Sequence, residues 1–303
     1  MINVVGLGYI GLPTALMFAA SGERVVGYDR NEQLVRMLRQ GTLTIDEPEI
    51  EELYKKALPC IEFSSELTAS DIYIVAVPTP YNKNSKKINP YLVVDAVEEI
   101  LHDCPSEAIV VIESTISPGT IDVYIRPIVN RIEQEKGKKV HLVHAPERII
   151  PGSMIHELRN NARTIGADDS RIGALIKSKY SLFCEGDIIL TDIKTAEMTK
   201  VVENTYRDVN IAFANELSKI CRVAGIDVHE VIRIANMHPR VSILSPGPGV
   251  GGHCIAVDPW FLVGDYPQLA KLILAARTVN ESMPNFVMER MAFVMKCRLS
   301  VRF

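Results

Sequence analysis

The feature that most constrains this chain is Gly6-x-Gly8-x-x-Gly11, set directly after the apolar run Ile2-Asn3-Val4-Val5. A strand followed by this spacing and then a helix is the opening of a Rossmann-type βαβ unit. Gly6 permits the tight turn, Gly8 lets the backbone approach a pyrophosphate, and Gly11 lets helix and strand pack closely. The N–H groups at the helix start then face an anion. Asp29 ends the next strand candidate, where a carboxylate accepts from the adenosine ribose hydroxyls and repels a 2′-phosphate. That favours NAD over NADP. Arg30 beside it leaves the phosphorylated cofactor open, and a glycine turn in a non-binding βαβ unit is the plainer alternative.

The rest of the first 190 positions fits such a fold. Apolar Val/Ile-rich runs lie at 2–5, 24–28, 71–77, 108–112, 140–144 and 187–190. Helix-period segments lie between them at 11–21, 31–39, 48–56, 92–101 and 120–135. Alternating strands and helices predict a doubly wound, mostly parallel sheet. Two strand candidates end in small polar loops holding Thr79 and Thr115. Ligands bind outside the carboxyl ends of parallel strands, so both are candidate cofactor contacts, though either suits an ordinary turn.

Beyond position 191 the texture changes. No Gly or Pro occurs from 192 to 224, which predicts one long helix capped by Thr191 or Asp192. Further helices are expected at 228–236 and 268–282. The expected organisation is a dinucleotide-binding domain over 1–190, a central helical domain over 191–290, and a short tail over 291–303. With 303 residues, 47% of them hydrophobic, the chain can bury a core of that size. A net charge of −4 without a clustered basic excess argues against nucleic acid. The apolar N-terminus lacks a basic leader, and no run is long enough to span a bilayer. Six cysteines at irregular spacing, with no CxxC pair, fit a reducing cytoplasmic compartment better than a disulfide framework.

Two places carry chemistry. On the long helix, Lys200, Asn204, Arg207 and Ile211 share one face, with Glu197 one turn before Lys200. A solvated stripe is the simple explanation, but Asn204 is a poor choice for an exposed helix interior and the flanks are apolar. A lysine held in a cleft can serve as both acid and base. The second place is Cys254, which follows a Gly/Pro-rich loop over 245–252. Cys184 and Cys221 lie in apolar surroundings and read as core thiols; Cys254 reads as a nucleophile, whose thiolate a nearby cation such as Lys200 would favour. A buried structural cysteine remains the alternative. His253-Cys254 is poor zinc geometry and no second pair has zinc spacing, so no metal is expected. A dinucleotide fold with a poised cysteine has a specific meaning. One oxidation turns an alcohol into an aldehyde. A thiolate that captures the aldehyde as a thiohemiacetal allows a second oxidation, to a thioester that water hydrolyses to a carboxylate.

The runs AEMTKVVEN at 196–204, RDVNIAFANEL at 207–217, HPRV at 238–241 and PGPGVGGHCIAVDPWF at 246–261 resemble the UDP-glucose/GDP-mannose dehydrogenases, and most nearly the branch acting on UDP-N-acetyl-D-mannosamine. The match runs over about positions 1 to 290. The resemblance implies Cys254 as nucleophile, Lys200 as general acid/base and oxyanion donor, Asn204 as a second oxyanion donor, and Asp258 orienting Lys200 or the hydrolytic water. It implies NAD contacts from Tyr9, Ile10, Asp29, Thr79 and Thr115. It implies that Glu147 helps activate water, that Arg148 and Ile149 touch substrate, and that Arg207, His238, Arg240 and Gly251 bind the nucleotide sugar. It further implies a homodimer or higher oligomer built on the long helix, with His238 and Arg240 reaching a neighbouring subunit's site. UDP-N-acetylglucosamine or UDP-glucose are the other expected substrates, and a silent NAD-binding dimerisation module is the non-enzymatic alternative. Members carry a third domain that closes over the uridine diphosphate. Here the chain ends at Phe303, so a truncated enzyme with impaired turnover is expected.

Overall fold

The computed structural model describes residues 1–82, 85–252 and 254–300, the last eight of these by backbone alone. His253 of the cysteine loop, and positions 301–303 of the expected tail, lie outside the described residues. In chain order the elements are β1 (Ile2–Val5), α1 (Gly11–Ala20), β2 (Val25–Tyr28), α2 (Glu32–Arg39), α3 (Ile50–Ala57), β3 (Ile61–Ser64), β4 (Ile72–Val75), β5 (Tyr81–Asn82), β6 (Lys87–Ile88), α4 (Tyr91–Asp103) and β7 (Ala108–Ile112). Then come a π-helical turn (Ile121–Ile125), α5 (Arg126–Lys136), β8 (Val140–His144), α6 (Met154–Asn160), β9 (Arg163–Ala167), α7 (Ser170–Tyr180), β10 (Ile188–Thr191), α8 (Ile193–Ala224), α9 (Val228–Ala235), α10 (Asp258–Asp265) and α11 (Lys271–Ser300).

The chain divides into two compact units, one of residues 1–80 and 88–200, the other of residues 81–87 and from 201 onward. In the first, eight strands form one sheet in the order β10-β9-β8-β7-β4-β1-β2-β3. All neighbours are parallel except β8 and β9, which run antiparallel. The sheet is doubly wound, as its strand patterns demand. Ile2, Val4, Ile72, Ile74, Ile109 and Val111 face one way, into a core shared with α1, α3, α6 and α7. Val5, Tyr73, Val75, Val110 and Ile112 face the other, towards α4 and α5. Strands buried on both faces read as unbroken apolar runs. Each fully buried Leu or Ile contributes roughly 1.5–3 kcal/mol. β3 and β9 were not legible as strands. β3 is an edge strand with one buried position in four, and β9 begins with Arg163.

The long helix runs for 32 residues. Asp192 caps it, with Oδ1 accepting from the Thr195 N–H at 2.9 Å. Glu197, on the expected polar face, is buried and accepts from the N–H groups of Gly119 at 2.6 Å and Ile121 at 2.9 Å. In the second unit α11 continues past the expected end at 282 and through Pro284 to Ser300. Pro284 sits against the Gly/Pro loop: a Cβ placed on Gly249 would lie 3.2 Å from its Cγ. The first ten positions of the expected tail, 291–300, are therefore helical. Trp260, Val263 and Ala270 form a small core with Tyr81 and Ile273. The Lys86 ammonium lies 4.2 Å from the centre of the Trp260 ring. Among the described residues, no helix is long and apolar enough to cross a membrane.

A buried polar chain holds the second unit together. Asp208 on α8 receives Arg277 Nη1 at 2.7 Å and Asn280 Nδ2 at 2.8 Å, both from α11. Asn280 Oδ1 receives Asn215 Nδ2, and Asn215 Oδ1 receives the Gly247 N–H, each at 2.8 Å. Breaking a buried pair leaves one charge uncompensated, so Arg277→Met should lower stability by about 3–5 kcal/mol. Urea unfolding of the second unit checks this. A midpoint equal to the parent's would remove the pair from the account of how the loop is held.

Candidate active site

The dinucleotide turn forms as its glycines require. Gly6 has φ +93°, and a Cβ there would stand 2.8 Å from the Ala76 carbonyl oxygen. A Cβ on Gly11 would stand 1.8 Å from the Gly6 carbonyl oxygen. A Cβ on Gly8 meets nothing within 4 Å, so its glycine answers to space outside the chain's own packing. Ile10 is the residue before α1, and Tyr9 beside it is partly exposed. Asp29 holds the turn from below: Oδ2 accepts from the Leu7 N–H and Oδ1 from the Asn31 N–H, both at 2.8 Å.

A cavity of about 140 Å³ opens beside this turn, lined in part by Gly6, Asp29, Arg30, Val77 and Leu92. Its apolar wall and its carboxylate suit an adenosine. Arg30, the group that could have welcomed a 2′-phosphate, is paired with Glu99 at 2.6 Å. Tyr28 also donates to Glu99. Thr79 and Thr115 come together, the Thr79 hydroxyl donating to the Thr115 carbonyl at 2.8 Å. These residues fit NAD.

Sequence reading missed Glu47. It is buried, accepts from the Tyr9 hydroxyl, and accepts from the N–H of Gly152 at 2.6 Å. It thereby ties the dinucleotide turn to the segment that follows Glu147. One of three carboxylates in a loop over 41–49, it gives no local signal of that.

At the carboxyl end of β8, Glu147 is buried, accepts from the Ile149 N–H, and lies 3.7 Å from Arg163 Nη2. Burial raises its pKa, opposed by Arg163. Arg148 folds onto the sheet, donating to the Ala162 carbonyl at 2.5 Å and to Thr164 Oγ1 at 2.8 Å, while Ile149 is half-buried. Lys200 is 7% exposed and acts electrostatically on both His144 and Glu147. His144 is fully buried with Nδ1 on the Ile112 carbonyl at 2.9 Å, and burial depresses its pKa to about 3, so it stays neutral. Lys200 in this setting is no solvated stripe.

In the second unit, Asn204 is buried one turn along α8 from Lys200. Its Nδ2 donates to Asp258 Oδ2 at 2.6 Å. Asp258 is 3% exposed and opens α10. The Cys254 carbonyl accepts from the N–H groups of Val257 and Asp258, both at 2.9 Å, so the cysteine is anchored to the head of α10 with its side chain exposed. The alternative of a buried structural cysteine is overturned for Cys254, while Cys184 and Cys221 are buried as expected. Gly251 is exposed, and so are Arg207, His238 and Arg240; His238 Nδ1 and the Arg240 N–H are 3.3 Å apart. Among the described residues no group of three His, Cys, Asp or Glu side chains could hold a metal ion.

An NAD-fitting turn on a doubly wound sheet, followed by a second, helical unit, is the organisation of an NAD-dependent dehydrogenase. The chain belongs to the UDP-glucose/GDP-mannose dehydrogenase family. Residues 1–184 match that family's NAD binding domain and residues 194–282 its central domain. A UDP-N-acetyl-D-mannosamine dehydrogenase of Methanocaldococcus jannaschii is 44% identical over 299 residues, covering 97% of this chain and 68% of its own. The protein of the same name from Escherichia coli is 42% identical, covering 95% of this chain and 71% of its own. A UDP-N-acetyl-mannosamine dehydrogenase structure from Staphylococcus aureus superposes with a TM-score of 0.87 at 44% identity, over 98% of this chain and 71% of that one. The chain thus spans about two thirds of the length of these relatives.

Proposed function

We propose that this protein oxidises the C6 alcohol of UDP-N-acetyl-D-mannosamine to the carboxylate, in two NAD-dependent steps through a covalent intermediate on Cys254. The observation that carries the proposal is the exposed Cys254 anchored to the head of α10, whose Asp258 is bonded to Asn204. The names of relatives above 40% identical point to the same sugar. We assign residues 1–190 to the cofactor and 191–290 to the cysteine chemistry, a division supported by the family matches at 1–184 and 194–282.

NAD, when bound, supplies the two-electron acceptor for each oxidation. Gly6, Gly8, Gly11, Tyr9 and Ile10 would present backbone to its phosphates, Asp29 would take the ribose, and Thr79 and Thr115 would hold the rest of it. Lys200 takes the proton of the sugar alcohol as the aldehyde forms. The Cys254 thiolate adds to the aldehyde carbon, and the oxygen is protonated to a thiohemiacetal. Lys200 and Asn204 donate to that oxygen. Lys200 removes the proton again in the second oxidation, leaving a thioester. Glu147 accepts a proton from water as it attacks the thioester carbonyl, and the C–S bond breaks to return the thiolate. Asp258 holds the Asn204 amide in place. Arg148, Ile149, Arg207, His238, Arg240 and Gly251 bind the nucleotide sugar. The net change is one carboxylate and two reduced NAD per sugar.

The test is incubation with NAD and a panel of UDP-sugars, following NADH and uronate. Two NADH per UDP-N-acetylmannosamine supports the proposal. The same yield only with UDP-N-acetylglucosamine or UDP-glucose moves the substrate. NAD binding without turnover of any sugar leaves a silent binding module.

The outer face of α8 supports a homodimer. Val202, Tyr206, Phe213, Ile220 and Val223 recur at helical spacing and are 46–91% exposed. Light scattering should give twice the chain mass, and Phe213→Glu should reduce it to one. A monomer at the start would remove this face from the proposal.

A further inference from the structure

Two carboxylates in the first unit share one arginine. Arg163 opens β9 and is buried. Its Nη1 donates to Glu113 Oε1 at 2.9 Å, while Nη2 stands 3.7 Å from Glu147 Oε1. Glu113, immediately after β7, is satisfied further: the Tyr180 hydroxyl donates to Oε1 at 3.0 Å and the Thr14 hydroxyl to Oε2 at 2.9 Å. Its side chain is wholly inaccessible. The Arg163 guanidinium also lies over the Tyr180 ring, 4.3 Å from its centre.

The division is unequal. A guanidinium in hydrogen-bond contact with one carboxylate spends its field there. The second carboxylate sees a partly cancelled charge at longer range. An uncancelled negative charge in a dry site prefers to bind a proton. Glu113 itself stands among the groups that favour the protonated form of Glu147. The other charged and titratable groups near Glu147 are Arg163 on β9, Lys200 on α8, Tyr180 on α7 and the neutral His144 on β8. On its own segment, Arg148 is turned towards Ala162 and Thr164, and Glu157 on α6 receives the Ile150 N–H at 2.6 Å.

We propose that Glu113 and Arg163 are positioning residues that keep Glu147 a proton acceptor, by dividing one guanidinium unequally between two carboxylates. Both groups are buried and act through Glu147. Fully paired with Arg163, Glu147 would be a weak base held as an ion pair. Without Arg163, it would stay protonated and unable to accept. This inference rests on Glu147 acting in thioester hydrolysis, and extends that reading to what sets its basicity.

The test is a ¹³C-carboxyl NMR titration of glutamate-labelled full chain, with the Glu147 signal identified by its loss in Glu147→Gln. Glu113→Gln removes the competing charge and turns Arg163 towards Glu147. The Glu147 midpoint should fall by about one pH unit or more. Arg163→Lys keeps a cation, but one that pairs with the nearer Glu113 and lacks the second prong, so the midpoint should rise. A base works when deprotonated, so the acid limb of uronate formation should move to lower pH in the first variant and higher pH in the second. An unmoved midpoint in either folded variant, or two shifts of the same sign, would overturn the proposal. Shifts of the expected signs support it even where Glu147→Gln still hydrolyses the thioester. In that case the charge-sharing stands and water activation belongs to another group.

Discussion

Cys254→Ser should abolish carboxylate formation, by roughly 10³-fold or more, while leaving NAD affinity at the parent value. A serine hydroxyl is not ionised near neutral pH and adds poorly to an aldehyde, so the second oxidation has no thiohemiacetal to act on. The dinucleotide turn and the cavity beside it lie in the first unit and the cysteine in the second. The backbone at Cys254 is held by N–H groups of Val257 and Asp258 on its carbonyl, and these are indifferent to the side chain. Uronate yield and fluorescence titration with NAD separate the two effects. A serine variant that forms uronate at the parent rate would end the covalent route. One that loses NAD affinity as well would point to a folding defect.

Gly11→Ala should cost NAD binding severely and destabilise the first unit. The new methyl would have to occupy a position 1.8 Å from the Gly6 carbonyl oxygen, which is backbone and has nowhere to retreat. Opening the turn strains β1 against α1 by about 1–3 kcal/mol. Affinity should follow, since each 1.4 kcal/mol is tenfold. Gly8→Ala makes the informative contrast. Its Cβ meets no protein atom within 4 Å, so the variant should melt like the parent and still bind NAD weakly. Calorimetry on the pair checks this. Equal NAD affinity in parent and Gly11→Ala would mean the turn is not the phosphate site.

How much of this could be read in advance depends on the range of the interactions. β1, α1 and β2 were legible because a glycine pattern and an acidic strand end are local requirements. So was α8, since a stretch without Gly or Pro in helical period admits little else. β9 was not, because Arg163 at its start breaks the apolar run, and that arginine is explained by distant partners, first of all Glu113, fifty positions earlier in the chain. The extension of α11 through Pro284 was hidden by a residue that ordinarily ends a helix, and its packing on Gly249 has no sequence signature. The polar face of α8 was visible as a pattern, yet its partners were not. Asn204 meets Asp258 across 54 positions, and Glu197 turns inward to two amide groups near 120. Glu47 and Glu113, two buried carboxylates of the first unit, sit in a loop and at a strand end where composition offers no hint.

The most direct measurement is the mass of the peptide carrying Cys254 after rapid acid quench of a single turnover with NAD and UDP-N-acetylmannosamine. The account predicts that this peptide gains the nucleotide-sugar acyl group, and gains more of it in Glu147→Gln, where water attack is slowed. NADH and uronate forming while the Cys254 peptide keeps its unmodified mass at every quench time, in both proteins, would contradict it.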